Sequence, residues 1–172
     1  MPPIIHAVRH AQGWHNLSHG NYGLHDPELT PEGQAQCKTL CKNFPHHQKI
    51  DLLVASPMRR TLQTCLLGFS PEVDRGLQII ALPEAQETSD LPCDTGTDVE
   101  KLREEFAGKP VDLALVKEGW NSKEGKWAAD DAALVERARF TRRWLKARPE
   151  KEIVLVSHGC VSVDLLLSID YR

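Results

Sequence analysis

Ile153-Val154-Leu155-Val156-Ser157-His158-Gly159 is an apolar run, rich in β-branched residues, that stops at a serine, a histidine and a glycine. It lacks the polar alternation of a half-solvated strand, so both faces are expected to be covered, as in the centre of a parallel sheet. Such a strand delivers His158 to the carboxyl edge of the sheet, where open α/β folds bind their ligands. A second run with a similar ending stands near the start of the chain: Ile4-Ile5-His6-Ala7-Val8-Arg9-His10, followed by the turn Ala11-Gln12-Gly13. It too reads as a buried strand, and it carries a permanent cation and a titratable nucleophile to its tip. Alone, an Arg-His pair at a strand end is as readily a surface feature. Two histidine-tipped strands far apart in sequence shift that balance.

Helices and strands alternate between these two runs. Asp26-Pro27-Glu28-Leu29-Thr30-Pro31-Glu32-Gly33 is a helix start, with Thr30 as N-cap and Pro31 at the first helical position. Cys37, Leu40, Cys41 and Phe44 form its apolar stripe, and Pro45-His46-His47 end it. Asp51–Ala55 reads as a strand. Ser56 and Pro57 repeat the cap-then-proline pattern before a helix with Met58, Leu62, Cys65, Leu66 and Phe69 on one face. Arg59 and Arg60 occupy its first turn, where two cations oppose the macrodipole and an acidic residue is preferred. A third strand is expected over Leu77–Leu82, then an acidic, turn-rich stretch 84–98, a short helix within 99–107 and an irregular stretch 108–129 anchored by Trp120 and Trp127. Asp130 or Asp131 caps a helix reaching Arg148, with Leu134, Ala138 and Leu145 inward, and a final apolar helix begins near Cys160. The expected fold is α/β, a three-layer sandwich with a mainly parallel sheet and helices on both faces, in a single domain 1–172.

Several function classes are excluded by the composition. Of 172 residues, 41% are hydrophobic and 26% charged, with a net charge of -3, which points to neither nucleic acid nor an anionic membrane as partner. No basic, apolar leader is visible at the N-terminus, and Leu165-Leu166-Leu167 is too short to span a bilayer. A soluble, cytoplasmic protein is expected. Five scattered cysteines without a CxxC pair argue for a reducing compartment and against zinc, and His46-His47 reads as a solvated loop rather than a metal ligand pair.

The strand ends bring together Arg9, His10, Arg60, an acidic segment and His158. That inventory suits a phosphoryl group: guanidinium forks for its oxygens, a neutral imidazole to attack phosphorus, and a carboxylic acid to protonate the leaving oxygen. No P-loop is present.

On these residues the chain resembles the histidine phosphatase superfamily, the phosphoglycerate-mutase-like enzymes. Arg9-His10-Ala11 stands where the family has Arg-His-Gly, and Asp26 to Gly33 resembles its Asp-x-x-Leu-Thr-x-x-Gly block. Ala55-Ser56-Pro57-Met58-Arg59-Arg60-Thr61-Leu62-Gln63-Thr64 is similar to its Ser-Pro-Leu-x-Arg-Ala-x-Gln-Thr block, and Ser157-His158-Gly159 to its second histidine motif. The Arg-His-Ala-Gln-Gly opening, Pro92-Cys93-Asp94-Thr95-Gly96 and Lys117-Glu118-Gly119-Trp120 look most like a fungal and plant subgroup. The resemblance implies a metal- and cofactor-independent phosphomonoester hydrolase acting on a small phosphorylated substrate. It implies His10 as nucleophile, Arg9, Arg60 and His158 as phosphoryl ligands, and Asn16 as an assisting phosphate ligand. The proton donor should follow the third strand. Glu87 fits that place best, with Glu84 as the rival. A phosphoglycerate-mutase-type phosphotransferase and a weakly active phosphoryl-binding domain are the alternatives. Two departures stand out: Ala11 replaces glycine, and the chain ends soon after Gly159, which suggests a shortened C-terminus.

Overall fold

The computed structural model describes residues 2–159. Its strands are β1 (Ile4–Arg9), β2 (Leu52–Ala55), β3 (Ile79–Ala81), β4 (Val111–Asp112) and β5 (Glu152–Ser157). Its helices are α1 (Pro31–Asn43), α2 (Arg59–Gly68), α3 (Ser70–Asp74), α4 (Val99–Glu105) and α5 (Asp131–Lys146). The strands form one sheet in the order β1-β5-β2-β3-β4, and every neighbouring pair is parallel. β5 lies between β1 and β2, and Ile153, Val154, Leu155 and Val156 are wholly buried. The unbroken apolar run therefore has the covering on both faces that its lack of alternation implies.

Successive side chains of the central strands feed two separate cores, because a strand points alternate residues to opposite faces. Val154, Val156, Leu53 and Ala55 pack with Leu62 and Cys65 of α2, Leu102 of α4, and Leu40 of α1. Ile153, Leu155, Leu52 and Val54 pack with Trp144 and Leu145 of α5. The molecule is thus a three-layer α/β sandwich. Among the described residues no helix is long and apolar enough to cross a membrane.

The structure departs from the sequence reading in several places. β1 lies at the edge of the sheet among the described residues, with Ile4 57% exposed, rather than buried. A short apolar run does not by itself distinguish an edge from a centre. β3 is shorter than Leu77–Leu82, and α5 stops at Lys146 rather than Arg148. Asp130, not Asp131, is the α5 cap, its side chain accepting from Ala133 N. The 108–129 stretch contains β4, whose two residues pair with β3 but are too few to show a period. The helix expected from near Cys160 lies outside the described residues.

The start of α2 is the most instructive difference. Ser56 is not its N-cap; the cap is Met58, which has no side-chain oxygen to offer. The carboxylate of Asp26 substitutes: its Oδ1 accepts from Arg59 N at 3.1 Å and its Oδ2 from Thr97 N at 2.9 Å. An acid from another loop thereby supplies the negative charge this helix terminus favours. Asp26 is fully buried, which pushes its pKa up, and its backbone is in the left-handed region (φ 39). Close by, Thr30 caps α1 as expected, accepting from Gly33 N at 3.0 Å. Gly33 is required there by contact, since a Cβ would lie 2.1 Å from the carbonyl oxygen of Gln12. This close approach presses the turn after β1 against α1.

Candidate active site

All the strand tips point to one rim. His10 follows β1, and its backbone N–H donates to Ser157 O at 2.9 Å, which sets the ends of β1 and β5 level. Ala11 N donates to Thr64 Oγ1, and that hydroxyl donates to Arg60 O, so the turn after β1 is pinned to the helix that carries Arg60. Ala11 is not among the residues with positive φ, so alanine costs no backbone strain at this turn.

Arg60 is the hub, and it is wholly buried. Its Nε donates to His10 Nε2 at 3.2 Å, its Nη1 to Cys93 O at 2.7 Å, and its Nη2 to Asp94 Oδ1 at 3.1 Å and His158 Nδ1 at 3.3 Å. A guanidinium only donates, so both imidazole nitrogens facing it accept. That fixes the remaining protons: His10 Nδ1–H donates to Ala11 O at 2.7 Å, and His158 Nε2–H to Ser56 Oγ at 3.0 Å. The His10 and His158 rings lie 5.2 Å apart between centroids. Arg59, one residue earlier, faces elsewhere and pairs with Glu28 and Glu105.

The electrostatics keep these imidazoles neutral. Burial first, and then the Arg60 charge, push the His10 pKa down to about 3. The same two causes hold His158 well below the usual histidine range. Desolvation therefore outweighs the charge of the neighbouring cations. A third ring, His15, lies 5.5 Å from His10 and is pushed down to about 4 by burial and Arg60.

Not every expected residue converges equally. Arg9 is exposed at the end of β1, and its guanidinium runs beside Gly159, where a Cβ would sit 3.3 Å from Arg9 Nε. Asn16 is exposed, its amide engaged by Gly13 N and His15 Nε2, so the structure brings it to the turn after β1 rather than to Arg60. The two candidate acids separate clearly. Glu87 Oε2 lies 3.6 Å from His158 Nδ1, while Oε1 accepts from Thr88 N and Oγ1. Glu84 instead pairs with Lys126 at 3.7 Å. Burial, with Asp94 adding to it, raises the Glu87 pKa and favours its protonated form.

Three further residues belong to this rim and were not singled out from sequence. Asp94 holds Arg60 with one oxygen and accepts from Ser89 Oγ at 2.6 Å with the other. Arg137 of α5 is buried and donates to Gln86 O at 3.2 Å and to Glu87 O. Lys123 donates to the same Glu87 carbonyl at 3.2 Å. The available signal for Arg137 was a charge three residues from Leu134 and one from Ala138, on the inward face of the helix; Lys123 had none beyond a turn-rich neighbourhood. Chemically, the rim joins a neutral imidazole, a buried guanidinium and a carboxyl group biased toward its acid form.

The sequence profile of the histidine phosphatase superfamily (branch 1) matches residues 5–169. This chain belongs to that superfamily. A probable phosphatase of Schizosaccharomyces pombe is 30% identical over 158 residues, covering 90% of this chain and 73% of the relative. Phosphoglycerate mutase-like protein 1 of Arabidopsis thaliana is 31% identical over 194 residues, covering 90% and 67%. Among solved structures, the ecdysone phosphate phosphatase of Bombix mori in complex with tungstate shares the fold with a TM-score of 0.66 at 15% identity, covering 94% of this chain and 74% of that one. The histidine phosphatase fold and the phosphoglycerate-mutase-like relatives together make this a histidine-phosphatase-type enzyme, with a small phosphorylated substrate.

Proposed function

We propose that this histidine phosphatase is a phosphomonoester hydrolase that works without a metal ion, through a phosphohistidine on His10. The observation that carries the reading is the single buried guanidinium of Arg60 bonded to both His10 Nε2 and His158 Nδ1, with Glu87 3.6 Å from the latter. The Nδ1–H bond to Ala11 O leaves the His10 lone pair on Nε2, on the side facing Arg60. A phosphoryl oxygen takes over the Arg60 Nε–H and frees the Nε2 lone pair; Nε2 attacks phosphorus, the P–O bond to the leaving group breaks, and Glu87 gives its proton to the departing oxygen. Water then attacks the phosphohistidine, yielding its proton to Glu87 and releasing inorganic phosphate from His10. Arg60, Arg9 and His158 hold the phosphoryl oxygens, supplying preorganised charge where it is needed. Asn16 assists from the turn after β1. Glu87 is preferred to Glu84 as donor because Glu84 is turned toward Lys126.

The test is a phosphatase assay in EDTA on wild type and His10→Ala together. Wild-type hydrolysis of phenyl phosphate should survive chelation and vanish in His10→Ala. Activity lost in EDTA and restored by added metal would defeat the metal-free reading. A wild type that binds phosphate but turns over nothing would favour a phosphoryl-binding domain.

A further inference from the structure

Lys123 approaches the rim from a stretch remote from every motif. Its backbone is in the left-handed region (φ 58), as is that of Gly125 (φ 55), so the chain reverses sharply to aim this side chain inward. Its ammonium sits on the Glu87 carbonyl at 3.2 Å, a carbonyl that Arg137 also approaches at 3.4 and 3.5 Å. Among the described residues that carbonyl is the one acceptor of Lys123, and an ammonium has three protons to give. Lys123 also bears electrostatically on His158, and is itself acted on by Arg60, Asp94 and Glu87, so it borders the same pocket.

Glu87, as proton donor, marks the side from which the leaving group departs, so a cation on its main chain stands on the leaving-group side of the rim. The nearby carboxylate of Asp94 does not cancel it, because Asp94 has one oxygen on Arg60 and the other on Ser89. We infer that Lys123 reads charge on the leaving group, so that the preferred substrate is a phosphomonoester carrying a second anion, such as a carboxylate, a few atoms from the ester oxygen. The inference rests on the phosphatase reading above and deepens it. Burial, with Arg137 adding to it, pushes the Lys123 pKa down to about 8, and an incoming anion relieves that strain on the charged form.

The experiment uses three esters of similar size that differ in leaving-group charge: 2-phosphoglycolate, 2-hydroxyethyl phosphate and 2-aminoethyl phosphate. Wild type should prefer them in that order, with about tenfold in kcat/KM between the first and second, as a charge-assisted hydrogen bond provides. Lys123→Met keeps the unbranched stem and the same left-handed backbone, and should shrink that ratio toward one, mainly through KM. Lys123→Arg should retain the preference, and in wild type the preference should fade as pH rises through about 8. A wild type that favours 2-aminoethyl phosphate would assign the reading of charge to Asp94 and overturn the inference. So would a Lys123→Met enzyme that loses all three esters by the same factor, which would make Lys123 a clamp for the Glu87 backbone. Hydrolysis of none of the three, nor of phenyl phosphate, would overturn the phosphatase reading itself and the inference with it.

Discussion

Arg60 Nε and His10 Nε2 are 3.2 Å apart, in a pocket where both residues are buried. The arginine donates to the nitrogen that the mechanism uses as nucleophile, so it opposes protonation of that nitrogen and releases the lone pair when a phosphoryl oxygen takes its place as acceptor. Arg59, its neighbour in sequence, pairs with Glu28 and Glu105 and does not enter this arrangement. Arg60→Ala should therefore lower kcat/KM by about 10²–10³-fold, the usual cost of losing one preorganised donor. Arg59→Ala should cost less than tenfold. The reverse order, measured on phenyl phosphate, would show that the wrong arginine has been placed in the site.

Asp94 occupies one arm of the Arg60 fork that a phosphoryl oxygen would also claim, and its charge helps to keep Glu87 protonated. Asp94→Asn should have two separable effects. Inhibition by inorganic phosphate should tighten several-fold as a competing anion is lost. The high-pH limb of kcat/KM should move to lower pH, because the acid form of Glu87 is then lost sooner as pH rises. An unchanged limb would mean that Glu87 is not the group titrating there.

Stability should depend on pH through the buried imidazoles. Folded His10 takes up a proton only near pH 3, whereas the unfolded chain does so near 6.5. Between those values the unfolded state binds more protons, so stability falls as pH falls, by about 1.4 kcal/mol per pH unit for each such group. His158 acts in the same direction. Asp26 and Glu87, whose pKa values are raised, act in the opposite direction, so the histidine effect is read as the difference between wild type and a variant lacking the imidazole. Urea unfolding across that window should show the slope, and His10→Gln should flatten it. An equal slope in the variant would mean that His10 is not held neutral by the fold.

What the sequence made legible follows from where its signals are local. The β5 run declared a doubly covered strand because Ile153, Val154, Leu155 and Val156 are all apolar, and its neighbours in the sheet agree. His10, Arg60 and His158 were legible because each sits at the boundary of an element, where position along the chain fixes position in space. Spacing favoured Glu87 over Glu84, and the contacts that distinguish the two, with His158 for Glu87 and with Lys126 for Glu84, are tertiary. Asp26 read as part of a helix start, yet its carboxylate caps a different helix, a contact no local rule encodes. Asp94 and Lys123 lie on stretches without periodicity, and only the tertiary fold brings them to Arg60 and Glu87.

The donor role of Glu87 makes a distinct prediction. Glu87→Gln should lose far more activity on alkyl phosphates, whose alkoxide leaving groups need a proton, than on aryl phosphates. Glu84→Gln should show no such dependence. If Glu84→Gln shows it instead, the donor is Glu84.

The phosphoenzyme itself is the most direct measure of the central claim. Glu87→Gln should be phosphorylated by labelled phenyl phosphate, which needs little acid help, and then hydrolysed slowly for want of a base. Rapid quench should trap close to one label per chain, labile in acid and stable in base as a phosphoramidate is, and absent when His10 is also replaced by Ala. No label at any time while phenol is still released, or label that persists without His10, would contradict a phosphohistidine on this residue.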